Sequence, residues 1–487
     1  MTATALATLA LTLIFSQAAA AQDAKTVVAN ATKAMGVEGL NSIHYYGTAQ
    51  NGNLGQNNNS NQPWPMAGAN DYVRAIDFAQ PASRATWMNF AVPVTGGPAA
   101  LTPGQQNITP QNTAWAQQLE IWITPWGFVK GAAANNATAK AQSMGGKRYQ
   151  MVTFNAPVKS PGGSPYKVVG YINGQNLVEK VQTWVENPVF GDMLVEAEYT
   201  QYRDGANGLK FPAQMTQKRG GWPFFTAYIL GAHANPANIQ QLLTPPAAGR
   251  GGGAPGGGAP PAAGPTSEKL ADGVYRINGA YNSVAIEFAD HILLFEPGPQ
   301  NEARAQAIIA EAKRVIPNKP IRYGVISHHH FDHTSGLPAV VAEGITIVTP
   351  EVNKGFLMSA LSAPRTLAPD SLSKSGKKPV IEAITGDKRV FQDASRTFEV
   401  HVIKGLPHAD GIVMGYLPKE KILVYADVFN IPPANDPVPN PPVVGTMVFV
   451  DNIERLKLEP ERIMSIHTLN PDRLTTLAEI KATLGRR

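Results

Sequence analysis

The sequence predicts two domains, a mainly antiparallel β domain followed by an α/β domain, and three observations carry that prediction. The chain has 487 residues, too many for one ordinary domain, and 43% are hydrophobic, enough for two packed cores. Residues 244–266 are nearly all Gly, Pro and Ala, a composition that buries no apolar surface and behaves as a tether, so the chain divides into 23–243 and 267–487. Before the tether, short runs of β-formers are separated by turn residues; after it, β-type runs are interleaved with helical patterns.

Residues 5–15 are an unbroken small and apolar run, followed by Ser16-Gln17-Ala18-Ala19-Ala20-Ala21-Gln22. A short apolar core ending in an Ala-x-Ala site reads as an export signal over 1–21, which predicts a periplasmic or secreted protein. The run is shorter than the about 20 apolar residues a bilayer span takes, and no later stretch is long and apolar enough either.

In 23–243, residues 24–35 read as an opening helix. Runs at 119–124, 149–154, 167–172, 178–185 and 193–199 read as strands, and Asn173-Gly174 signals a hairpin between two of them. Over 145–220 this order of short strands, with Phe211-Pro212 closing one of them, resembles the curved antiparallel sheet of periplasmic lipoprotein-carrier proteins. A tract at 51–62, rich in Asn and Gly, reads as a loop inside the domain. All seven tryptophans lie in this half, and core packing accounts for them more simply than an apolar ligand groove. His44 and His233 stand alone, so no catalytic constellation is visible here.

Charge and cysteine content exclude several functions. The net charge is +5, yet residues 1–266 carry 16 basic and 11 acidic side chains and 267–487 carry 25 of each. Neither half has a Lys/Arg stripe, so no nucleic-acid partner is expected. The absence of cysteine excludes disulfide scaffolds, Cys-liganded zinc and thiol nucleophiles.

The chemistry lies after the tether, with eight of the ten histidines. Four fall in Ser327-His328-His329-His330-Phe331-Asp332-His333. Residues 321–327 are a β-type run and 336–343 suit a short helix, so the cluster sits on a strand-to-helix loop where side chains can converge. Alternate residues of an extended stretch face one way, which lets His328 and His330 hold one cation; Asp332 and His333, as the chain turns, can serve a second.

His-x-His-x-Asp-His resembles the signature of the metallo-β-lactamase superfamily, and the surrounding order agrees. Opening strands at 273–279, 282–288 and 291–298 are followed by a helix at 301–316 with Ile308, Ile309, Ala312, Val315 and Ile316 on one face. The resemblance covers 270–470 and implies an αββα sandwich. Glu296 stands where the family usually has Asp, and Ala409 where a Thr usually follows the histidine. The resemblance also implies later ligands at strand ends, here His408, Asp427 and His467. One site would be His328, His330 and His408; the other Asp332, His333 and His467, with Asp427 between them. Imidazoles and carboxylates without thiolate suit zinc, two ions per chain, and iron or manganese also accept such sets. His401 reads as structural, His329 as pointing away from the metals, and Asp410 as a turn residue.

This resemblance implies a hydrolase in which paired metals generate hydroxide from water, with Asp332 as the catalytic proton carrier. The substrate would be a small molecule with an ester, lactone, thioester or amide-like bond. The β-lactam-cleaving branches of the family lack a carboxylate at the Asp427 position, which weighs against a β-lactamase although export favours one. A metal-dependent phosphodiesterase would use the same seven ligands, but the neutral second half and the export signal argue against it. A third alternative is an apolar-ligand binding protein with an accessory hydrolase domain. Residues 430–443 and 355–378 are expected to line the pocket, and the tether predicts separately folded halves with little contact.

Overall fold

The computed structural model describes residues 23–91, 100–245, 266–430, 432, 437–468 and 472–486. The expected export signal at 1–21 and most of the expected tether lie outside these residues. No helix among the described residues is long and apolar enough to cross a membrane.

The first half is built on one antiparallel sheet of eleven strands. From one edge the order is Ala100–Ile108, Ala82–Ala91, Met66–Asp77, Ser42–Gly52, Trp222–Ala234 and Lys210–Arg219. It continues through Gly191–Asp204, Val178–Asn187, Pro165–Ile172, Lys147–Lys159 and Thr138–Met144. The expected hairpin at Asn173-Gly174 joins Pro165–Ile172 to Val178–Asn187, and the opening helix is Ala24–Ala34, capped by Asp23. Three helices, Ala24–Ala34, Trp115–Trp122 and Pro125–Ala134, share one core with the sheet, in which Val28, Leu119, Trp126 and Phe128 meet Val152, Val168 and Val195.

Two expectations are corrected. Residues 119–124 are not a strand; they end the helix Trp115–Trp122 and supply Thr124, the cap of the helix Pro125–Ala134. The run is rich in β-formers, but Trp115, Leu119 and Trp122 recur at helical spacing and pack on the sheet, and that burial decides. Phe211 and Pro212 lie near the start of the strand Lys210–Arg219 and do not close one.

The second half has two sheets. Seven strands run in the order Ser267–Ala271, Val274–Ile277, Ser283–Glu287, Ile292–Phe295, Ile321–Val325, Thr346–Pro350, Ile381–Ile384, and the last four are mutually parallel. Five strands, Lys388–Gln392, Thr397–Val402, Val413–Leu417, Ile422–Tyr425 and Arg462–Ser465, form the other, with only the last pair parallel. Alternation along each strand sorts the side chains. Leu293 and Phe295 join Phe398, Val400 and Val424 in the core between the sheets. Ile292 and Leu294 join Ile308, Ala312 and Val340 of the helices Glu302–Val315 and Leu337–Glu343 on the outer face. The helix Val444–Arg455 covers the other sheet through Phe449, Val450 and Ile453. Strands buried on both faces explain the unbroken apolar runs of the sequence.

The halves are not independent. Asp192 accepts from the Thr366 N–H at 3.0 Å and from the Leu367 N–H at 2.9 Å, and buried Arg365 donates to the carbonyls of Pro188 and Val189 at 3.0 and 2.8 Å. Gly191, at φ +66°, runs so close to the Pro364 carbonyl that a Cβ would stand 2.2 Å from it, a site for glycine alone. Trp64 and Phe190 meet Phe331 edge to face with centroids 5.7 and 5.4 Å apart. The expected lack of contact is therefore wrong: the composition of 244–266 describes a tether and says nothing of surfaces that meet beyond it.

These contacts predict the behaviour of a nicked chain. Arg250 is the one trypsin site in 244–266. After cleavage there the two fragments should co-elute at the size of the intact chain and part only in denaturant. Separate elution under native conditions would contradict the interface.

Candidate metal centre

Parallel strands whose C-terminal ends meet at one edge deliver the site. The strand Ile321–Val325 runs into Ser327 and the histidine cluster, then into the single turn Phe331–Thr334. In the facing sheet the paired strands Ile422–Tyr425 and Arg462–Ser465 end just before Asp427 and His467. His408 comes from the loop between Thr397–Val402 and Val413–Leu417.

The seven side chains named from the sequence converge. Donor atoms of His328, His330, His408 and Asp427 lie within 4.8 Å of one another, and so do those of Asp332, His333, Asp427 and His467. Asp427 is the common member. Its Oδ2 lies 2.9 Å from His408 Nε2, 3.2 Å from His328 Nε2 and 3.3 Å from His333 Nε2, and its Oδ1 contacts His467 Nε2. The imidazole nitrogens also face each other: His328 and His408 Nε2 are 3.4 Å apart, and His333 and His467 Nε2 are 3.3 Å apart.

His328, His333 and Asp332 are steered from behind. Ser327 Oγ is 2.9 Å from His328 Nδ1, which leaves Nε2 facing Asp427. Glu296, fully buried at φ +60°, takes the Ser327 N–H on Oε1 and stands with Oε2 2.7 Å from His333 Nδ1. This fixes the His333 ring so that Nε2 points inward. Tyr281 donates to Asp332 Oδ2 at 3.0 Å, and its ring lies 4.4 Å from that of His467. In the sequence Glu296 stands out only as a departure from the family, and Tyr281 does not stand out at all. The position of Glu296, at a strand end before Pro297-Gly298, was the available signal for the first; the second has none.

Burial and charge set the protonation states. Burial, reinforced by His333, holds His328 well below the ordinary imidazole value, and burial with His408 pushes His330 down to about 3. Burial would also lower His333, but the charge of Glu296 and the bond to Asp427 outweigh it and raise this ring. For Asp427 burial acts upward, yet the four imidazoles hold the carboxyl far below the usual range. Burial of Asp332 is likewise outweighed, by His333 with Gln56 and Tyr281, so this carboxyl is lowered too. Ionised carboxylates with inward-facing imidazoles, of which His328 and His330 are held neutral and His333 would give up its proton to a cation, are a donor set that fits divalent cations; nitrogen and oxygen donors without sulfur suit zinc, iron or manganese.

The other assignments also have places. His401 pairs with Glu399 at 2.8 Å on its own strand, outside both groups. His329 points to the Asn57 carbonyl at 2.8 Å, away from Asp427. Asp410 lies in the turn after His408 and accepts from Asn59 at 3.1 Å. Ala409 is buried in the core under the second sheet.

Residues 276–464 match the profile of the Metallo-beta-lactamase superfamily. No curated protein matches the sequence. Among solved structures, a metallo-beta-lactamase from Pontibacter korlensis is 15% identical, covering 45% of this chain and 97% of that chain with a TM-score of 0.33. A metallo-beta-lactamase from Hirschia baltica is 16% identical, covering 45% of this chain and 96% of that one, with a TM-score of 0.33. The rubredoxin oxygen:oxidoreductase of Desulfovibrio gigas is 16% identical, covering 45% and 60%, with a TM-score of 0.34. The match places a metallo-β-lactamase-superfamily domain in the C-terminal half of the chain, over residues 276–464.

Glu296 gives a direct test. In Glu296→Gln the amide presents its N–H₂ to His333 or gives up the Ser327 N–H, so the inward nitrogen is no longer assured as an acceptor. Metal affinity should fall by about 10–100-fold with the fold retained. Unchanged affinity in a chelator competition would show that Glu296 does not orient the ring.

Proposed function

We propose that the protein is an exported, dinuclear zinc-dependent hydrolase that cleaves an ester, lactone, thioester or amide-like bond in an uncharged, largely apolar small molecule. The observation that carries this reading is the sharing of Asp427 between two four-residue donor groups. His328, His330 and His408 would hold one ion and Asp332, His333 and His467 the other, within the αββα sandwich of the family. Such ions, when bound, polarise a carbonyl and lower the pKa of water.

Asp332 carries the proton. Its carboxyl is held ionised and oriented, with Tyr281 on Oδ2. It takes a proton from the attacking water and returns it to the leaving atom as the carbon–heteroatom bond breaks, so no proton is gained or lost on the enzyme. Burial, then the charge of Asp332, push the Tyr281 phenol upward, so it stays a donor throughout.

The cleft narrows the substrate. It measures about 1150 Å³ and opens over His330, Asp332, His408, Asp427 and His467. Met66 and Phe90 of the first half and Leu406, Val428 and Phe429 of the second make its walls apolar. Among the described residues that line it there is no lysine or arginine. Apart from the metal ions, the carboxylate of a β-lactam or the charge of a phosphodiester would meet no lysine or arginine among these lining residues, whereas an acyl or aryl group would be buried. Of the two loops named as pocket walls, 430–443 contributes Asn430 and Val443; no residue of 355–378 lines the cleft, because that stretch docks against the first half.

The reading is tested by hydrolysis of neutral aryl esters and lactones beside β-lactams and phosphodiesters. Activity should favour the neutral substrates and be lost on chelation. Asp332→Asn should lower turnover by about 10²–10⁴-fold, while His401→Ala should match the unaltered chain. Preference for the charged substrates, or a full-rate Asp332→Asn enzyme, would overturn it.

A further inference from the structure

We propose that the N-terminal domain is a working part of the metal centre: its loop 53–65 fixes the orientation of His330 and Asp332, so that the complete donor set forms only when that loop is docked. The inference rests on the metal-dependent reading above and concerns what holds its ligands in place.

The Asn57 carbonyl oxygen lies 2.8 Å from His329 Nε2 and 3.0 Å from His330 Nε2. A carbonyl can only accept, so both ring nitrogens carry the proton. His330 is thereby held as the Nε2–H tautomer, with its lone pair on Nδ1. That Nδ1 is buried and has no hydrogen-bond partner among the described residues. It is the nitrogen left to complete the group with His328, His408 and Asp427. The next contact acts on the second group. Gln56 Nε2 donates to Asp332 Oδ1 at 2.8 Å while Tyr281 holds Oδ2 at 3.0 Å, so both carboxylate oxygens are fixed, one from each domain.

The loop is built to hold this position. The Asn57 amide bridges the carbonyls of Asn59 and Gln62 at 2.7 and 2.9 Å, which braces the turn behind its own carbonyl. Asn58 donates to the Pro407 carbonyl at 2.7 Å and its own carbonyl accepts the Asp410 N–H at 2.6 Å, gripping the chain on both sides of His408. Gly55, at φ +80°, packs on Phe331 so tightly that a Cβ would stand 2.2 Å from the ring. The Phe331 N–H donates to the Gly55 carbonyl at 3.2 Å, one residue before Asp332. The outer partner of a metal-binding histidine sets its tautomer and ring plane, and losing it weakens the metal. In this protein that partner comes from a point 273 residues earlier in the chain. Docking alone does not explain the pattern, because the contact of Asp192 with Thr366 and Leu367 joins the domains without touching any of the seven.

The experiment titrates zinc into the full metal-free chain against a chromogenic chelator, with thermal unfolding as the check of fold. Gln56→Leu, Asn57→Ala and Gly55→Val should each bind zinc about 10–100-fold more weakly, and Gln56→Leu should lower kcat more than it raises KM. Asp192→Ala should bind zinc as the unaltered chain does. If Gly55→Val does not fold, Gln56→Leu decides the matter, since its side chain holds Asp332 and no other residue. Loop variants that bind zinc as tightly as the unaltered chain would overturn the proposal, as would an Asp192→Ala chain weakened to the same degree. An unaltered chain that binds no zinc would overturn instead the metal-dependent reading on which it rests.

Discussion

A carboxylate buried among four imidazoles is the constraint on which the C-terminal half turns. Asp427 is held ionised at the seam of two sheets, and a lone buried charge of this kind costs several kcal/mol unless positive charge answers it. His333, held up by Glu296, answers part of it in the metal-free chain. Two shared cations would answer it fully, and the buried Nδ1 of His330 has no hydrogen-bond partner among the described residues.

The fold supplies this convergence from strand ends. Glu296, the histidine cluster, Asp427 and His467 all follow strands that run toward the same edge, in pairs that are parallel neighbours: Ile292–Phe295 with Ile321–Val325, and Ile422–Tyr425 with Arg462–Ser465. The core between the sheets, with Phe295 and Phe398 edge to face at 6.2 Å, holds the two edges in register. A packed core resists small shifts, so a ligand set divided between two sheets keeps its spacing.

Much of this was legible in the sequence, and the failures have physical causes. The four histidines in six residues sit on a strand-to-helix loop, where local spacing places side chains without reference to the rest of the chain. His408, Asp427 and His467 came from resemblance, because no spacing joins them to the cluster. Residues 119–124 misled because Ile, Trp and Thr favour strands, while the deciding partner surface is distant in sequence. The docking loop was invisible for a different reason. Its key atom is a backbone carbonyl, which every residue has, and a tract of Asn and Gly reads as an ordinary turn. Composition reads 244–266 as a tether but carries no information on what lies across the interface.

The large sheet of the first half thus serves as more than an appendage: its strands Met66–Asp77 and Ala82–Ala91 wall the cleft and its loop reaches Asp332. The chemistry of the site turns on the Asp427-centred pair of donor groups. Zinc-edge X-ray absorption of the loaded full chain tests it most directly. The expected spectrum has a shell of nitrogen and oxygen donors without sulfur, together with a metal–metal scattering path that disappears in Asp427→Ala. An isolated zinc with no neighbouring metal, in a chain loaded to saturation, would contradict it.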